Sequence, residues 1–350
     1  MMYRSRRTLL NRGKVVMTGT TMMITMAIIL SACGSTASVS RHKTRGAHGA
    51  SLPAQAKAAF PNGVTLVSGQ PPGGLLYVAS EALQPSLQKA LGVPVTIVQK
   101  PGGGGKVAAA YVYHSSPASG NVFLSLIPNM AIAQVVGGGS FNLDRFTPLA
   151  GIYGDDTSIY VAKKASPLTN FRSLKNSTKT LTIGVVGIKA TSGWFSAALL
   201  AKVDHVRLTV VGFTTGSEAI DAVLSGAIDM ASVTRALAVP LLNENKIQAV
   251  LEFAPKPLSY LPGTETIAQA GYPNQSFYNL VGAVGPPGMS KQASGVLAAA
   301  FASVAKSASF VSTAKSLHLA PVYASATKWQ QETASIVNVI RSRAGVLVGG

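Results

Sequence analysis

The residue with the clearest chemistry in this 350-residue chain is its single cysteine, Cys33. It ends the tetrapeptide Leu-Ser-Ala-Cys at residues 30–33, the kind of motif at which bacterial lipoproteins are cleaved and the thiol takes a diacylglyceryl group. Residues 1–14 carry five basic residues and no acidic one, and residues 15–32 are uncharged and rich in Met, Ile, Val and Thr. A basic start, an apolar middle and a small-residue exit are typical of a signal peptide. We therefore predict a lipoprotein signal peptide over residues 1–32 and lipidation of Cys33.

An uncleaved membrane anchor is the alternative, because the uncharged stretch is close to the shortest that spans a bilayer. Its Thr residues and the small residues at its end favour cleavage. In either case the rest of the chain is expected outside the cytoplasm. The favoured lipoprotein would be lipid-anchored to the cell membrane, on its periplasmic or outer face. With no second cysteine, it must fold without an internal disulfide.

The charge distribution argues against nucleic acid as a partner. The net charge is +18, but residues 1–60 hold nine of the 30 Lys and Arg residues and no acidic residue. The remaining excess is scattered, with no basic stripe of the kind that nucleic-acid-binding proteins carry. A mildly positive body suits anionic small molecules or an anionic membrane surface.

The sequence contains no motif that is typical of a catalytic site. His114, His205 and His318 are isolated, and none stands in a metal-ligand spacing. Ser192 lies in Thr-Ser-Gly and not in a Gly-x-Ser-x-Gly elbow. Lys106 follows four glycines, but the first glycine and the Ser/Thr of a phosphate loop are missing. We predict no enzyme, no cofactor and no metal; an exported hydrolase using Ser192 and a distant histidine is the least favoured alternative.

Two glycine-bearing loops are better suited to capture an anion. Residues 69–74 and residues 187–193 each lie between a predicted strand and a predicted helix. Unpaired N–H groups and the positive end of the helix dipole at such a loop favour a carboxylate. In open α/β sheets, ligands bind outside the carboxyl ends of strands, where such loops lie. The other interpretation is that these glycines only form tight turns.

The elements that would position these loops alternate in the order strand, loop, helix. Predicted strands at residues 64–67, 95–98 and 122–127 are each followed by a helical pattern or a loop, and the alternation restarts at residue 181. This order is typical of α/β architecture with parallel strands. Residues 34–60 are rich in Ser, Ala, Gly and basic residues, and their composition predicts a flexible tether.

The order of short motifs over residues 61–345 resembles the receptor family of tripartite tricarboxylate transporters, the Bug proteins. The collinear order is more specific than any one motif. The matching pieces are Pro-Pro-Gly-Gly at 71–74, Leu-Gly-Val-Pro-Val at 91–95, Lys-Pro-Gly-Gly-Gly-Gly at 100–105, Pro-Ala-Ser-Gly at 117–120, Phe-Thr-Pro-Leu-Ala at 146–150, Gly-Phe-Thr-Thr-Gly-Ser at 212–217, Leu-Ser-Gly-Ala-Ile-Asp at 224–229, the segment 261–272 and Gly-Pro-Pro-Gly at 285–288.

The resemblance implies a two-lobed periplasmic-binding-protein fold (type II, Venus-flytrap) of the α/β class. Its hinge would be two crossing strands near residues 160–165 and 277–282. We expect lobe I over residues 61–162 and 281–350 and lobe II over residues 163–280, behind the lipidated Cys33 and the tether of residues 33–60.

The resemblance also implies that a small carboxylate, such as a di- or tricarboxylate, is held between the lobes. Tyr77 stands where the family often has an acid, which makes an amino-acid ligand less expected. The expected ligand-binding residues are Gln70, Pro71, Pro72, Gly73, Gly74, Tyr77, Asn129, Gly187, Ala190, Thr191, Ser192, Phe213, Thr214 and Thr215.

The expected partners are a small organic anion and either integral-membrane transporter subunits or a membrane sensor. The alternative to transport is an exported interaction or sensor lipoprotein that retains this fold.

Overall fold

The computed structural model describes residues 50–154, 157–189, 191–278 and 280–348. These described residues form one compact unit. The predictions for the signal peptide, for Cys33 and for the tether up to residue 49 concern residues outside the described ranges, as does the predicted site residue Ala190.

The first part of the chain builds the parallel core of one sheet. β1 pairs in parallel with both β2 and β3, because each strand is followed by a helix that returns the chain to the same end of the sheet. The elements are α1 (Leu52–Ala59), β1 (Val64–Ser68), α2 (Leu75–Leu91), β2 (Val95–Gln99), the 3-10 turn Gly103–Gly105, α3 (Lys106–Ser115), β3 (Val122–Leu126), α4 (Pro128–Val135), the 3-10 turn Leu143–Arg145 and β4 (Thr147–Gly154).

The middle of the chain builds a second, five-stranded sheet in the order β7-β6-β8-β5-β9. Here β6 pairs in parallel with β7 and β8, so the strand–helix alternation repeats. The elements are β5 (Ile159–Lys163), α5 (Phe171–Lys175), β6 (Leu181–Val186), α6 (Ser192–Lys202), β7 (Leu208–Phe213), α7 (Gly216–Ser225), β8 (Met230–Val233), α8 (Arg235–Asn243), β9 (Ile247–Glu252) and the 3-10 turn Pro273–Gln275.

The last part of the chain returns to the first sheet and completes it as β11-β4-β10-β3-β1-β2. Its elements are β10 (Val281–Gly285), α9 (Lys291–Ala305), α10 (Ala308–Ser316), β11 (Ala320–Ser325) and α11 (Ala326–Val348). No single described helix is long and apolar enough to cross a membrane; α9 and α10 meet that criterion only as a pair, which is bent by 70°.

Both connections between the sheets leave from the edge at which the parallel strands end. In the first sheet, Gly282 pairs with Leu126, so β10 begins at the edge where β3 ends. In the second sheet, Ile159 pairs with both Val233 and Glu252, so β5 begins where β8 and β9 end. The carboxyl ends of the parallel strands of both lobes therefore meet at one cleft, where α/β proteins bind ligands. The predicted α/β, two-lobed fold with a two-segment hinge is confirmed.

The first of the two hinge segments lies slightly before its predicted position in the chain. Residues 160–163 belong to β5, inside the second sheet, so the chain crosses between Gly154 and Ile159 and lobe II begins before residue 163. The two crossing segments hold each other, because Thr157 Oγ1 donates to Phe277 O at 2.8 Å. Both are also tied to Phe253 at the end of β9, since Phe253 N donates to Ser158 O at 3.0 Å and Phe277 N donates to Phe253 O at 2.8 Å.

The tether prediction is wrong for residues 52–60. These residues form α1 and its C-cap, with Ala56 and Phe60 buried, and α1 packs against α2 and α9. The Ala- and Lys-rich composition indicated a solvated chain, but Leu52, Ala56 and Phe60 recur at helical spacing and give the helix one apolar face.

The C-terminal helix α11 contacts both lobes. It packs against α4 and β4 of lobe I and against α6 of lobe II. Residues of α4, α6, α11 and the hinge form an apolar contact region there, which consists of Pro128, Ile132, Phe195, Phe277, Ile336, Val339 and Ile340. When the lobes open, they must either rotate about this apolar region or break its contacts.

Candidate functional site

The N-terminus of α6 lies at the cleft edge of lobe II. Thr191 caps it, since Thr191 Oγ1 accepts from Trp194 N at 3.3 Å. Gly187, with φ +67°, donates its N–H to Phe213 O at 3.0 Å, which ties the start of the loop to the end of β7. A Cβ at Gly193 would lie 3.0 Å from Ser232 Oγ, so glycine lets the helix start rest on the end of β8. The helix N-terminus is thus held firmly at the cleft.

The side chain of Asn129 bridges the two lobes at this point. Asn129 lies in the first turn of α4 in lobe I, and its Oδ1 accepts a hydrogen bond from Ser192 N, in lobe II, at 2.8 Å. Asn129 is 7% exposed and Ser192 is 9% exposed. This buried contact joins the start of α4 in lobe I to the predicted loop of residues 187–193 in lobe II.

Two side-chain donors remain available beside this bridge. Asn129 Nδ2 and Ser192 Oγ make no hydrogen bond to any described residue. Neither residue is acidic, and both lie at the positive end of the α6 dipole, which favours negative charge. The arrangement can donate hydrogen bonds to a carboxylate.

Lobe I presents a similar arrangement at the start of α2. Gln70 Oε1 accepts from Leu76 N at 2.7 Å, so the loop side chain caps the helix that follows it. A Cβ at Gly74 would lie 2.8 Å from Gln70 Cβ, so this glycine makes room for the fold-back. Gln70 Nε2 has no hydrogen-bond partner among the described residues and stays available as a donor. Pro71 and Gly73 form the exposed turn between Gln70 and the helix, in which Gly74 N donates to Pro71 O at 3.0 Å.

The glycine run after β2 packs the loops of lobe I together. A Cβ at Gly69 would lie 2.9 Å from Gly105 Cα, and one at Gly105 would lie 2.7 Å from Met130 Cε. Lys106 Nζ donates to Gly137 O at 3.2 Å, beyond the C-terminal end of α4. These two close approaches and the Lys106 hydrogen bond hold the loops of lobe I against one another.

Tyr77, also a predicted ligand contact, pairs with a neighbour on its own helix. Its hydroxyl hydrogen-bonds to the exposed Glu81 carboxylate, and this bond, with smaller effects of burial and of the carboxylate charge, raises the pKa of Tyr77. Its role toward a ligand stays a prediction.

The predicted residues after β7 form the start of α7. Thr215 Oγ1 accepts from Glu218 N at 3.2 Å, and Glu218 Oε2 accepts from Thr214 N at 3.1 Å. Phe213 ends β7, and its carbonyl holds the Gly187 turn. These residues reach the cleft edge, where Thr214 and Thr215 contribute to helix capping.

Sequence reasoning missed Arg235 at the same edge. Arg235 is the first residue of α8, separated from β8 by Thr234 alone, and its guanidinium lies 4.0 Å from the centre of the Tyr260 ring. A basic residue two positions after a parallel strand is the signal that could have found it, because that position lies at the cleft edge.

Ser192 does not form a catalytic pair with a described histidine. His205 follows the opposite end of the eleven-residue α6, and the ring of His114 hydrogen-bonds to Ser140 O. His318 lies in the turn between α10 and β11. The described residues also contain no group of three or more His, Cys, Asp or Glu residues that could hold a metal ion.

Two α/β lobes, joined by two short segments and presenting helix N-termini across a cleft, define the class of two-lobed solute-binding proteins. The sequence profile of the tripartite tricarboxylate transporter family receptor, TctC, matches residues 79–347. The chain belongs to this family, which confirms the resemblance seen in the sequence.

Solved structures of the same fold agree with this assignment. The periplasmic binding protein BugD superposes with a TM-score of 0.70 at 18% identity, covering 81% of this chain and 97% of that one. MatC from Rhodopseudomonas palustris, with bound malate, gives 0.68 at 22% identity over 82% and 98% of the two chains. Rpa4515 from R. palustris, with adipate, gives 0.70 at 20% identity over 82% and 97%. A comparison with curated proteins gave no match.

Proposed function

We propose that this protein captures a small organic carboxylate, of the di- or tricarboxylate kind, between its lobes and delivers it to an integral-membrane transporter. The observation that carries the proposal is the donor cluster at the start of α6, where Asn129 and Ser192 from different lobes meet. Its support from relatives is that MatC holds malate and Rpa4515 holds adipate in the same fold.

The electrostatics of the cleft support an anion. The starts of α2 and α6 both lie at the cleft edges, and each helix places partial positive charge there. The side-chain amides of Gln70 and Asn129 each give their oxygen to a helix N–H, which leaves their NH₂ groups as donors. Arg235 adds a cation to the edge of lobe II.

The proposed contacts include residues whose ligand role rests on position alone. Pro71, Pro72, Gly73 and Gly74 would approach the ligand through backbone, as would Gly187 and Ala190. Thr191 and Ser192 would add hydroxyl groups. A ligand that touches both lobes binds the closed form more tightly than the open form and so shifts the equilibrium toward closure.

A thermal-shift screen tests the binding proposal. The mature protein is heated with succinate, malate, adipate and citrate, and with the neutral diamide of each dicarboxylate as control. A ligand at one hundred times its dissociation constant adds about 2.7 kcal/mol to the free energy of unfolding. If the folded protein is stabilised by none of the acids, or equally by acids and diamides, the proposal is wrong.

Delivery to a transporter is tested separately in cells that lack the gene. Loss of uptake of a radiolabelled carboxylate that the purified protein binds supports delivery. Unchanged uptake, with binding intact, favours an exported sensor or interaction protein of the same fold.

We further propose that the protein is exported and anchored by a lipid on Cys33, for which the motif at residues 30–33 is the support. Mass spectrometry of the membrane-bound protein should show a diacylglyceryl Cys33 as its first residue. The Cys33→Ser variant should keep residues 1–32 and gain no lipid mass. An intact leader without lipid in the unchanged protein indicates an uncleaved anchor instead.

A further inference from the structure

The orientation of the Asn129 side chain follows from its partner. A side-chain amide has an acceptor at one end and two donors at the other, and the two orientations occupy almost the same space. Ser192 N can only donate a hydrogen bond. The Asn129 atom that lies 2.8 Å from it must therefore be the acceptor, Oδ1. Nδ2 is then directed away from Ser192, and it makes no hydrogen bond to any described residue.

We propose that Asn129 is the specificity-determining residue of the cleft, which selects a ligand group that accepts hydrogen bonds and rejects one that donates them. This inference rests on the proposed carboxylate binding and names the residue that sets its polarity. Ser192 acts as the positioning residue, because its N–H fixes which end of the amide the ligand meets.

The burial of Asn129 makes this orientation matter. Asn129 is 7% exposed as a whole residue, and a hydrogen bond is electrostatically stronger in such a largely buried setting than in open water. A carboxylate oxygen of the ligand would supply the missing acceptor. An ammonium group at the same place would face the NH₂ group of Asn129 and find no acceptor on that side chain.

The contact also couples specificity to closure, because its two residues belong to different lobes. When the lobes are apart, Ser192 N no longer fixes the amide, and either end of Asn129 can face the cleft. The selective form of the site is therefore the closed one. This differs from a site built on one lobe, whose polarity is set before closure.

The decisive variant is Asn129→Asp. One carboxylate oxygen of the new side chain can still accept from Ser192 N, while the other places negative charge where the donors were. We expect adipate affinity to fall about a hundredfold and the relative affinity for 6-aminohexanoate, its amine analogue, to rise. Asn176→Asp is the matched control, because Asn176 is an exposed residue after α5 and gains the same charge away from the cleft.

The positioning role of Ser192 is tested by removing its N–H, with Ser192→Ala, which loses the same hydroxyl but keeps the N–H, as the reference. Ser192→Pro deletes the N–H at the first position of α6, where proline is well tolerated, and Thr191, with ψ 156°, already has the extended backbone that precedes proline. We expect Ser192→Pro to bind adipate about tenfold more weakly than Ser192→Ala does, as for the loss of one hydrogen bond to a charged group. Ala308→Pro, at the first position of α10, is the matched control and should leave binding unchanged.

Succinate, malate and adipate are the acids to titrate, by calorimetry, with each variant's unfolding curve as the check on folding. An unchanged protein that binds neither these three acids nor citrate overturns the proposed function and this inference with it. If the unchanged protein binds but a folded Asn129→Asp keeps the same affinity and acid-over-amine preference as Asn176→Asp, the inference alone is wrong.

Discussion

Gln70 Oε1 accepts a hydrogen bond from Leu76 N at 2.7 Å, so a cleft side chain is also the N-terminal cap of the helix behind it. The two roles are carried by different atoms of one amide, because the oxygen caps and the NH₂ group faces no described partner. A substitution that changes only the NH₂ end should therefore separate stability from binding.

Gln70→Glu keeps the capping oxygen and replaces the donor with a second, charged oxygen. Negative charge at the start of α2 is favourable by about 0.3–1 kcal/mol, so we expect the free energy of unfolding in urea to hold or rise. Carboxylate affinity, measured by calorimetry, should fall at least tenfold through charge repulsion. Gln70→Ala is the contrast, since it loses the cap and about 1 kcal/mol of stability. Equal carboxylate affinity in Gln70→Glu and the unchanged protein would show that Gln70 does not face the ligand.

The contribution of Asp204 to the free energy of unfolding should decline as the pH rises. Its side chain is 1% exposed, and Gln275 Nε2 donates to its Oδ1 at 2.9 Å. Burial raises the pKa of Asp204 above 3.8, against the hydrogen bond from Gln275 and the charges of Lys175, Arg343 and His205. The folded state then binds the proton more tightly than the unfolded state, so the stabilising contribution is complete below 3.8 and is lost as pH rises through the higher folded pKa.

The Asp204→Asn variant should remove this pH dependence. Its NH₂ group can donate to Gln275 Oε1, which has no hydrogen-bond partner among the described residues, as is also true of Asp204 Oδ2. We expect higher stability than the unchanged protein at pH 7 and a flatter profile between pH 4 and pH 7, measured by urea unfolding at each pH. A variant less stable at pH 7 would mean that the charged form of Asp204 is needed.

The contribution of Asp229 to stability should show the opposite dependence on pH. Its carboxylate accepts from Lys179 Nζ at 2.6 Å, Thr182 N at 2.8 Å and Thr182 Oγ1 at 2.9 Å. Burial alone raises the pKa of Asp229, but these bonds prevail and lower it below 3.8. Its contribution is therefore present above pH 3.8 and is lost as pH falls through the folded pKa. Asp229→Asn should cost about 1 kcal/mol at pH 7, a value reduced for the exposure of the pair, and the cost should vanish in acid.

Local patterns were enough to predict the α/β order of the chain and the two loops at the cleft. Residues 69–74 and 187–193 were chosen from strand-then-helix order, a property of neighbouring residues. The Asn129–Ser192 bond was beyond such reasoning, because its partners are 63 residues apart and meet only through the hinge. Arg235 was missed for a related reason: its position after a strand was visible, but its place at the cleft depends on how the second sheet is ordered.

Gly282 lies in β10, the strand that enters lobe I from the hinge, and its substitution should lower the free energy of unfolding. A Cβ there would lie 2.4 Å from the ring of Trp329, which is 1% exposed, and 2.5 Å from Ala150 O, so neither neighbour has space to move. Gly282→Ala should destabilise the protein by about 3 kcal/mol or more, as overpacking in a filled core does. Gly295→Ala is the control: Gly295 is exposed in α9 with no atom near its Cβ, so the change should stabilise by about 0.5–1 kcal/mol. Urea unfolding compares the two, and equal effects would mean that Trp329 does not pack on β10 beside the hinge.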